Sequence, residues 1–396
     1  MEVREAIHRW VVAASSALDA DRSVTDPNHE SLAQLPEFVA ARNALYGDEL
    51  IASQLDKLVG VGWGASLLDP GRLLRQILAS VLSATSGMLS DAFDSVYRDF
   101  ELFIYSPELV VQFVAPLVGF ECDDDRIDVM DDMYIARLVS RSQLFSRGRD
   151  IWDRRARTHA VVRHVTVPKL VGDVSPTTEH SAVLLGARDD IWQVVEGLHL
   201  LKPGNCGIEY VEFSVSRQFG LGSSAESSSG WLVPGQNASL TLLQPEFSEL
   251  RDVVGLLLRT RSYRSQNFAL VIRRFCDAQS RLRITDQIVD QFVAAESMFL
   301  TEDENQELSF RLSQRIALLL GKTKANRVEI SRQVKRLYGV RSGVVHGSTK
   351  VRVAKEDIHL MNEYLRDALR LWLLRMQERQ QPVQIADWDA LVFGEQ

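Results

Sequence analysis

Between Ile330 and Gly347 an apolar helical stripe is broken by a charge. Ile330, Val334, Leu337 and Tyr338 recur at three- and four-residue steps, the pattern of a helix face buried against its neighbours. The next place in that stripe is Arg341; Val344 and Val345 resume it, and His346-Gly347 closes it. A guanidinium inside a buried stripe is costly unless it is paired or faces a site. His346 lies five residues further on, about 140° around a helix of 3.6 residues per turn. Both side chains can face one pocket only where the helix loosens or ends, and Gly343 and Gly347 permit either. The same segment has an architectural reading: a buried ion pair followed by a C-terminal cap.

This helix belongs to a series. One is expected from Asn267 into the early 280s, carrying Arg273, Arg274, Arg281 and Arg283. The next runs from Thr285 to about Leu300 with the stripe Ile288, Val289, Phe292, Val293, Phe299 and Leu300. Glu296 stands within that stripe as a second charged intruder. Thr301 to Glu304 has the capping-box form T-x-x-E and opens a helix through Leu308, Leu312, Ile316 and Leu319, which stops at Gly321. The motif helix starts near Asn326, and a last helix spans Lys355 to about Gln377. An antiparallel bundle of these helices would present Glu296 and Arg341 from inward faces, with His346 at a helix end.

The chain ahead of the bundle changes period twice. Residues 1–110 read as helical, through Glu2 to Leu18, Ser31 to Tyr46 and Arg72 towards Met88, with a break at Val61-Gly62-Trp63-Gly64. Phe93, Val96, Tyr97, Phe100 and Phe103 keep helical spacing and read as core. From Pro116 short β-like runs follow: Val118 to Phe120, Arg126 to Val129, Tyr134 to Val139, Thr158 to Val167 and Ile208 to Val215. A helix interrupts them from Asp189 to Leu201. Asp123-Asp124-Asp125 reads as a solvated turn, and His159, His164, His180 and His199 show no metal spacing. Gly222 to Gly230 (GSSAESSSG) reads as a loop, with Trp231 to Val233 and Ser239 to Leu243 as the last strands. The expected class is therefore α+β, a mixed helical and β N-terminal region followed by an all-α bundle. Its divisions fall at 1–110 (helical), 111–250 (mixed β/α, a sensor or regulatory region) and 251–396 (helical).

Charge separates the same regions. From Arg251 to Gln380 there are 24 Lys and Arg against 15 Asp and Glu, a net +9, so the remainder carries −17 of the overall −8. A basic C-terminal third in an acidic chain fits local contact with a polyanion, although solvated Arg-rich helix faces give the same balance. No apolar run approaches the roughly 18 residues that span a bilayer, and the charged N-terminus does not read as a signal peptide. Cys122, Cys206 and Cys276 form neither a disulfide framework nor a zinc pattern, so a reducing cytoplasm is expected.

Arg341-Ser342-Gly343-Val344-Val345-His346 has the R-x4-H spacing, set in LYGVRSGVVHG and preceded by ELSFRLSQRIALLLG (Glu307 to Gly321). Across roughly residues 260–378 the chain resembles the HEPN superfamily, specifically the Apea-like HEPN group. The resemblance implies a metal-independent ribonuclease without cofactor, working as a homodimer through this helical domain, whose two R-x4-H motifs meet at a shared cleft. It also implies antiviral defence, abortive infection or toxin action, with RNA, tRNA among the candidates, as substrate. Around Phe93 to Phe120 the chain loosely resembles the companion region of Apea-type defence proteins, where a phage-derived or protein trigger would act.

The residue types suit that chemistry. Cleavage by the substrate's own 2′-hydroxyl needs a proton acceptor, an acid for the departing 5′-oxygen and positive charge at the phosphate. Histidine transfers protons near neutral pH, and arginine offers a planar fork matched to phosphate oxygens. A helix C-terminus favours the charged imidazole of His346, whereas Arg341 disfavours it. Since one chain supplies one such histidine, a two-fold dimer would supply both acid and base. Arg341, His346 and Glu296 are thus the expected catalytic group. Arg327, Arg332, Lys335 and Arg336 are expected to hold the RNA backbone, with Ser342 beside them, and no metal site is expected. Two rivals stand beside this reading: a non-catalytic HEPN dimerisation or nucleic-acid-binding module, and a toxin subunit silenced by a partner or by AMPylation.

Overall fold

The structure, a computed structural model, describes residues 2–20, 26, 29–61, 65–84, 88–138, 158–172, 177–208, 210–215, 223–227, 239–300 and 306–382. It is mixed α+β, with an N-terminal helix and strand region and a C-terminal region of several helices. Helix α1 (Val3–Ala20) buries Ala6, Ile7, Trp10, Val11 and Ala14 at three- and four-residue steps. Next come α2 (Pro36–Gly47), opened by Pro36, whose missing N–H would have had no partner in the first turn, and the single turn α3 (Glu49–Ala52). A hairpin of β1 (Leu58–Gly60) and β2 (Ala65–Leu67) interrupts the stretch expected to be wholly helical. Helix α4 (Pro70–Ser83) is capped by the Asp69 carboxylate, which accepts from the Arg72 N–H at 2.6 Å. The aromatic stripe of α5 (Leu89–Tyr105) is core, with Phe93, Val96, Tyr97, Phe100 and Phe103 all buried.

Strands follow as β3 (Glu108–Val118), β4 (Phe120–Glu121), β5 (Arg126–Met130), β6 (Met133–Arg137), β7 (His159–Pro168) and β8 (Leu170–Val171). Strand β3 starts ahead of the expected Pro116, because its first half alternates exposed and buried residues before turning continuously apolar. Helix α6 (Thr178–Leu201) likewise starts well before Asp189. Then come β9 (Gly207–Ile208), β10 (Tyr210–Val215), β11 (Ser223–Ser227) and β12 (Leu240–Thr241). Strand β11 lies within the segment expected to be a loop; ladder pairing uses backbone groups, so a run of small polar residues can supply it. The expected strand at Trp231 to Val233, the capping box at Thr301 to Glu304 and the break at Gly62-Trp63-Gly64 lie outside the described residues. The helical series is α7 (Phe247–Thr260), α8 (Gln266–Ser280), α9 (Ile284–Phe299), α10 (Leu308–Leu320), α11 (Lys324–Val345) and α12 (Lys355–Arg379). No helix among the described residues is long and apolar enough to cross a membrane.

The chain divides into two compact units. The first comprises Met1–Val114, Arg163–Arg188 and Glu212–Glu226, and the second Ala115–Val162, Asp189–Val211 and Ser227–Gln396, so residues 111–250 contribute to both. In the first unit β1 pairs antiparallel with β2 and β8, and β10 with β3, Phe213 opposite Phe113. Lys169 closes the end of α5 there, donating to the carbonyls of Phe103 and Ile104 at 2.9 and 2.7 Å. In the second unit β5 and β6 form a hairpin and β12 runs parallel to β4. The Asp123 to Asp125 turn is clamped by Arg137, which donates to the Asp125 carboxylate and the Asp123 carbonyl, both at 2.6 Å.

The helices of the second unit share one core around α9, which packs against α8, α10, α11 and α12. Phe275, Phe292, Phe299, Leu337, Leu369 and Trp372 are all buried within it. The end of α6 is held by two groups. Arg366 of α12 donates to the His199 carbonyl at 3.0 Å, and His199 Nε2 meets the Cys206 carbonyl at 2.8 Å. That contact needs a proton on Nε2, and Nδ1 has no partner among the described residues, so the ring is neutral. Burial, aided by the Arg366 charge, lowers the His199 pKa to about 4. The unfolded chain therefore binds a proton that the folded chain refuses, from about pH 6.5 down to about 4. The His199 contribution should be intact above that window and fall by on the order of 3 kcal/mol as pH drops through it. Urea unfolding of wild type and His199→Gln across the window measures this. The variant should lose less stability on acidification, and parallel profiles would refute the assignment.

Candidate active site

The motif helix keeps α-helical geometry to Val345. Ile330, Val334 and Leu337 form its buried face. Val344 still packs against the core, but Val345, expected to resume the stripe, is 53% exposed because the helix ends beside it. The termination is a Schellman motif. Gly347 adopts φ +68° and its N–H donates to the Val344 carbonyl at 3.1 Å, while the Ser348 N–H reaches the Gly343 carbonyl at 2.8 Å. Gly343 is needed for a second reason. A Cβ there would lie 2.4 Å from Cγ2 of Val351, so the returning chain seats itself on bare backbone.

Arg341 faces α9. Its Nη2 donates to Oε2 of Glu296 at 3.0 Å, with side chains 20% and 23% exposed. The pair is partly screened by protein without being sealed from solvent. Tyr338, one turn earlier on α11, lies under the guanidinium, 5.6 Å from ring centroid to Cζ. Burial first, and then the nearby Glu296 charge, raises the Tyr338 pKa. Phe292 of α9 meets the Tyr338 ring edge-on at 5.6 Å. Glu296 therefore holds the guanidinium, with the Tyr338 ring packed beneath it. Arg341 Nε, buried and without an acceptor among the described residues, is left one hydrogen bond short. Sequence reasoning placed Tyr338 in the apolar stripe and missed its ring beneath Arg341; the three-residue step to Arg341 was the signal.

His346 occupies the C-cap of α11, at φ −85° and ψ 8°, with its N–H on the Ser342 carbonyl at 3.0 Å. The residue is exposed, and its imidazole has no hydrogen-bonding or ionic partner among the described residues. Glu296, Tyr338 and Arg341 thus form one cluster, while His346 stands at the end of the same helix unattached to it. Ser342, between them, is partly buried.

The four flanking cations go in three directions. Arg327 Nε donates to the Gly321 carbonyl at 2.8 Å and closes α10. Arg332 makes a forked contact with Glu329, Nη2 to Oε1 at 2.8 Å and Nε to Oε2 at 3.1 Å, on the open surface. Lys335 Nζ sits 4.9 Å above the Phe310 ring of α10. Arg327, Arg332 and Lys335 line a groove of about 500 Å³ between α10 and α11, floored by Ala317, Leu318 and Val328. Arg336, expected on one face with 332 and 335, turns instead to α12 and pairs with Asp357 at 2.7 Å. Further back, Arg281 and Arg274 converge on Asp290 at 2.5 and 3.6 Å, as structural ion pairs do. No group of three or more metal-type side chains lies close enough to hold an ion among the described residues.

Compared with protein-family models, curated proteins and solved structures, the chain matches none.

Proposed function

We propose that the chain is a metal-independent RNA endonuclease of the HEPN type, a homodimer through its helical region, acting in antiphage defence or as a toxin under control of its N-terminal half. One observation carries the reading: an arginine paired with Glu296 and stacked on Tyr338 stands five residues before an uncommitted histidine at a helix end. In this mechanism Arg341 neutralises the phosphate in flight, Glu296 positions Arg341, and His346 moves protons to and from the 2′- and 5′-oxygens. Two copies related by a two-fold axis would supply one histidine as base and the other as acid. Products should carry 2′,3′-cyclic phosphate and 5′-hydroxyl ends, DNA should survive, and cleavage should persist in EDTA. Incubating total RNA with purified protein, followed by end-group analysis, tests this; 3′-hydroxyl ends or abolition by EDTA would exclude the mechanism.

The groove between α10 and α11 is assigned to the RNA backbone. Arg332→Glu combined with Lys335→Glu should weaken RNA binding and reduce the slope of log affinity against log salt by roughly 1.4, about 0.7 for each lost single-strand phosphate contact. Fluorescence-anisotropy titrations over a salt series measure it, and a wild-type slope would remove the groove from the substrate path.

A second reading is favoured by the same ion pair. Arg341 is already engaged by Glu296 and stacked on Tyr338, as in a non-catalytic module where it only ties α11 to α9. Overexpression separates the two: a nuclease arrests growth and His346→Ala relieves it, whereas a binding module behaves alike in both forms.

A further inference from the structure

A second polar site lies in the helical unit at the opposite end of α9 from Glu296. It is a cavity of about 390 Å³ at the start of α12, within the size range of small-molecule sites. Its floor is made of amides. Gln279 Nε2 donates to Asn362 Oδ1 and Asn362 Nδ2 to Gln279 Oε1, both at 2.7 Å, a reciprocal pair that fixes the orientation of each group. Asn362 is only 4% exposed and keeps one N–H and one lone pair unused among the described residues. Gln287, 3% exposed, donates to the Arg281 carbonyl at 2.8 Å and leaves its own carbonyl oxygen without a donor among the described residues. These amides offer the cavity a spare donor and spare acceptors beyond the bonds they already make.

The walls and rim complete the pattern. Ile284 and Ile358 supply apolar surface against which a flat ring can lie. Lys355 and His359, four residues apart on the first turns of α12, stand exposed at the rim. Neither has a carboxylate partner among the described residues, and the nearby Asp357 carboxylate is already taken by Arg336 at 2.7 Å. Amides that present paired donors and acceptors read the edge of a heterocyclic base, and a lysine with an imidazole receives a phosphate.

We propose that this cavity binds a nucleoside monophosphate, the base on the amide floor and the phosphate at Lys355 and His359. The inference does not rest on the ribonuclease reading. Calorimetric titration of the full chain with adenosine and guanosine 5′-monophosphates should give a Kd below about 1 mM for at least one of them. Lys355→Glu with His359→Glu, both on exposed positions, should weaken that binding at least about tenfold and leave the free nucleoside unaffected. Gln287→Leu should weaken nucleotide and nucleoside alike. Arg341→Ala with His346→Ala should leave binding unchanged; loss of binding there, with retention in the Lys355/His359 variant, would place the nucleotide at the R-x4-H site and overturn the proposal. A 3′-phosphorylated tetraribonucleotide distinguishes a free nucleotide from an RNA end. Tighter binding of the monophosphate supports the assignment, and binding of the tetranucleotide alone refutes it. Absence of any nucleotide binding would mean a cavity filled only by water.

Discussion

His346→Ala should lower RNA cleavage by about 10²–10⁴-fold, the range that a positioned acid or base contributes. It should do so without loss of fold. The imidazole makes no hydrogen bond or ion pair among the described residues, and the helix is closed by backbone groups of Gly343, Val344, Gly347 and Ser348. Substitution at the C-cap removes no hydrogen bond that holds α11. Single-turnover cleavage beside a urea unfolding curve measures both quantities. In a two-fold site each active centre would lose its base and its acid together, so mixed dimers of wild-type and variant chains should also fall well below half activity. Unchanged cleavage at unchanged stability would end the proton-transfer role. Arg341→Ala is a less clean experiment, because it strips Glu296 of its ionic partner as well as removing the phosphate-binding fork.

Phe292→Ala should cost about 3–5 kcal/mol of stability in the helical unit, the usual toll for emptying a buried phenyl site. Phe292 is wholly buried on α9, the helix that touches four others, and its ring meets Tyr338 at 5.6 Å. The loss should therefore reach function. A loosened Tyr338 ring no longer underlies the Arg341 guanidinium. Native-state amide exchange localises the effect to α9 and α11 even though the chain has two units. Protection loss below about 1 kcal/mol in those helices would mean that α9 is not the centre of this core.

Much of the helical half was legible in the sequence because its stripes repeat at 3.6 residues. The starts of α8 and α9 were each placed within a residue or two, and α12 opens at the expected Lys355. The strand region was harder. Residues 108–118 mix alternation with a continuous apolar run, which a period alone cannot assign. The first part of α6 buries Leu184, Ala187 and Ile191 but mixes Gly186 and the exposed Val183 and Leu185 among them, so its true start was hidden. Nor can local pattern show that Arg163–Arg188 and Glu212–Glu226 join the first 114 residues in one unit. At the site, charge in an apolar register pointed to Glu296 and Arg341 and anticipated their pairing. Tyr338 escaped because its ring satisfies the stripe and also underlies the Arg341 guanidinium. The direction of Arg336 escaped because it depends on Asp357, on the next helix and 21 residues along in sequence.

Between His346 and Lys355 run only eight residues, and they are fastened at both ends. One end is bonded back to Gly343 and wedged there by Val351; the other is fixed by the Asp357 carboxylate on the Ala354 N–H. Such a stretch works as a strut and not as a tether. The histidine and the lysine at its two ends cannot be re-aimed independently, so lengthening it by a single residue would disturb whichever end yielded first.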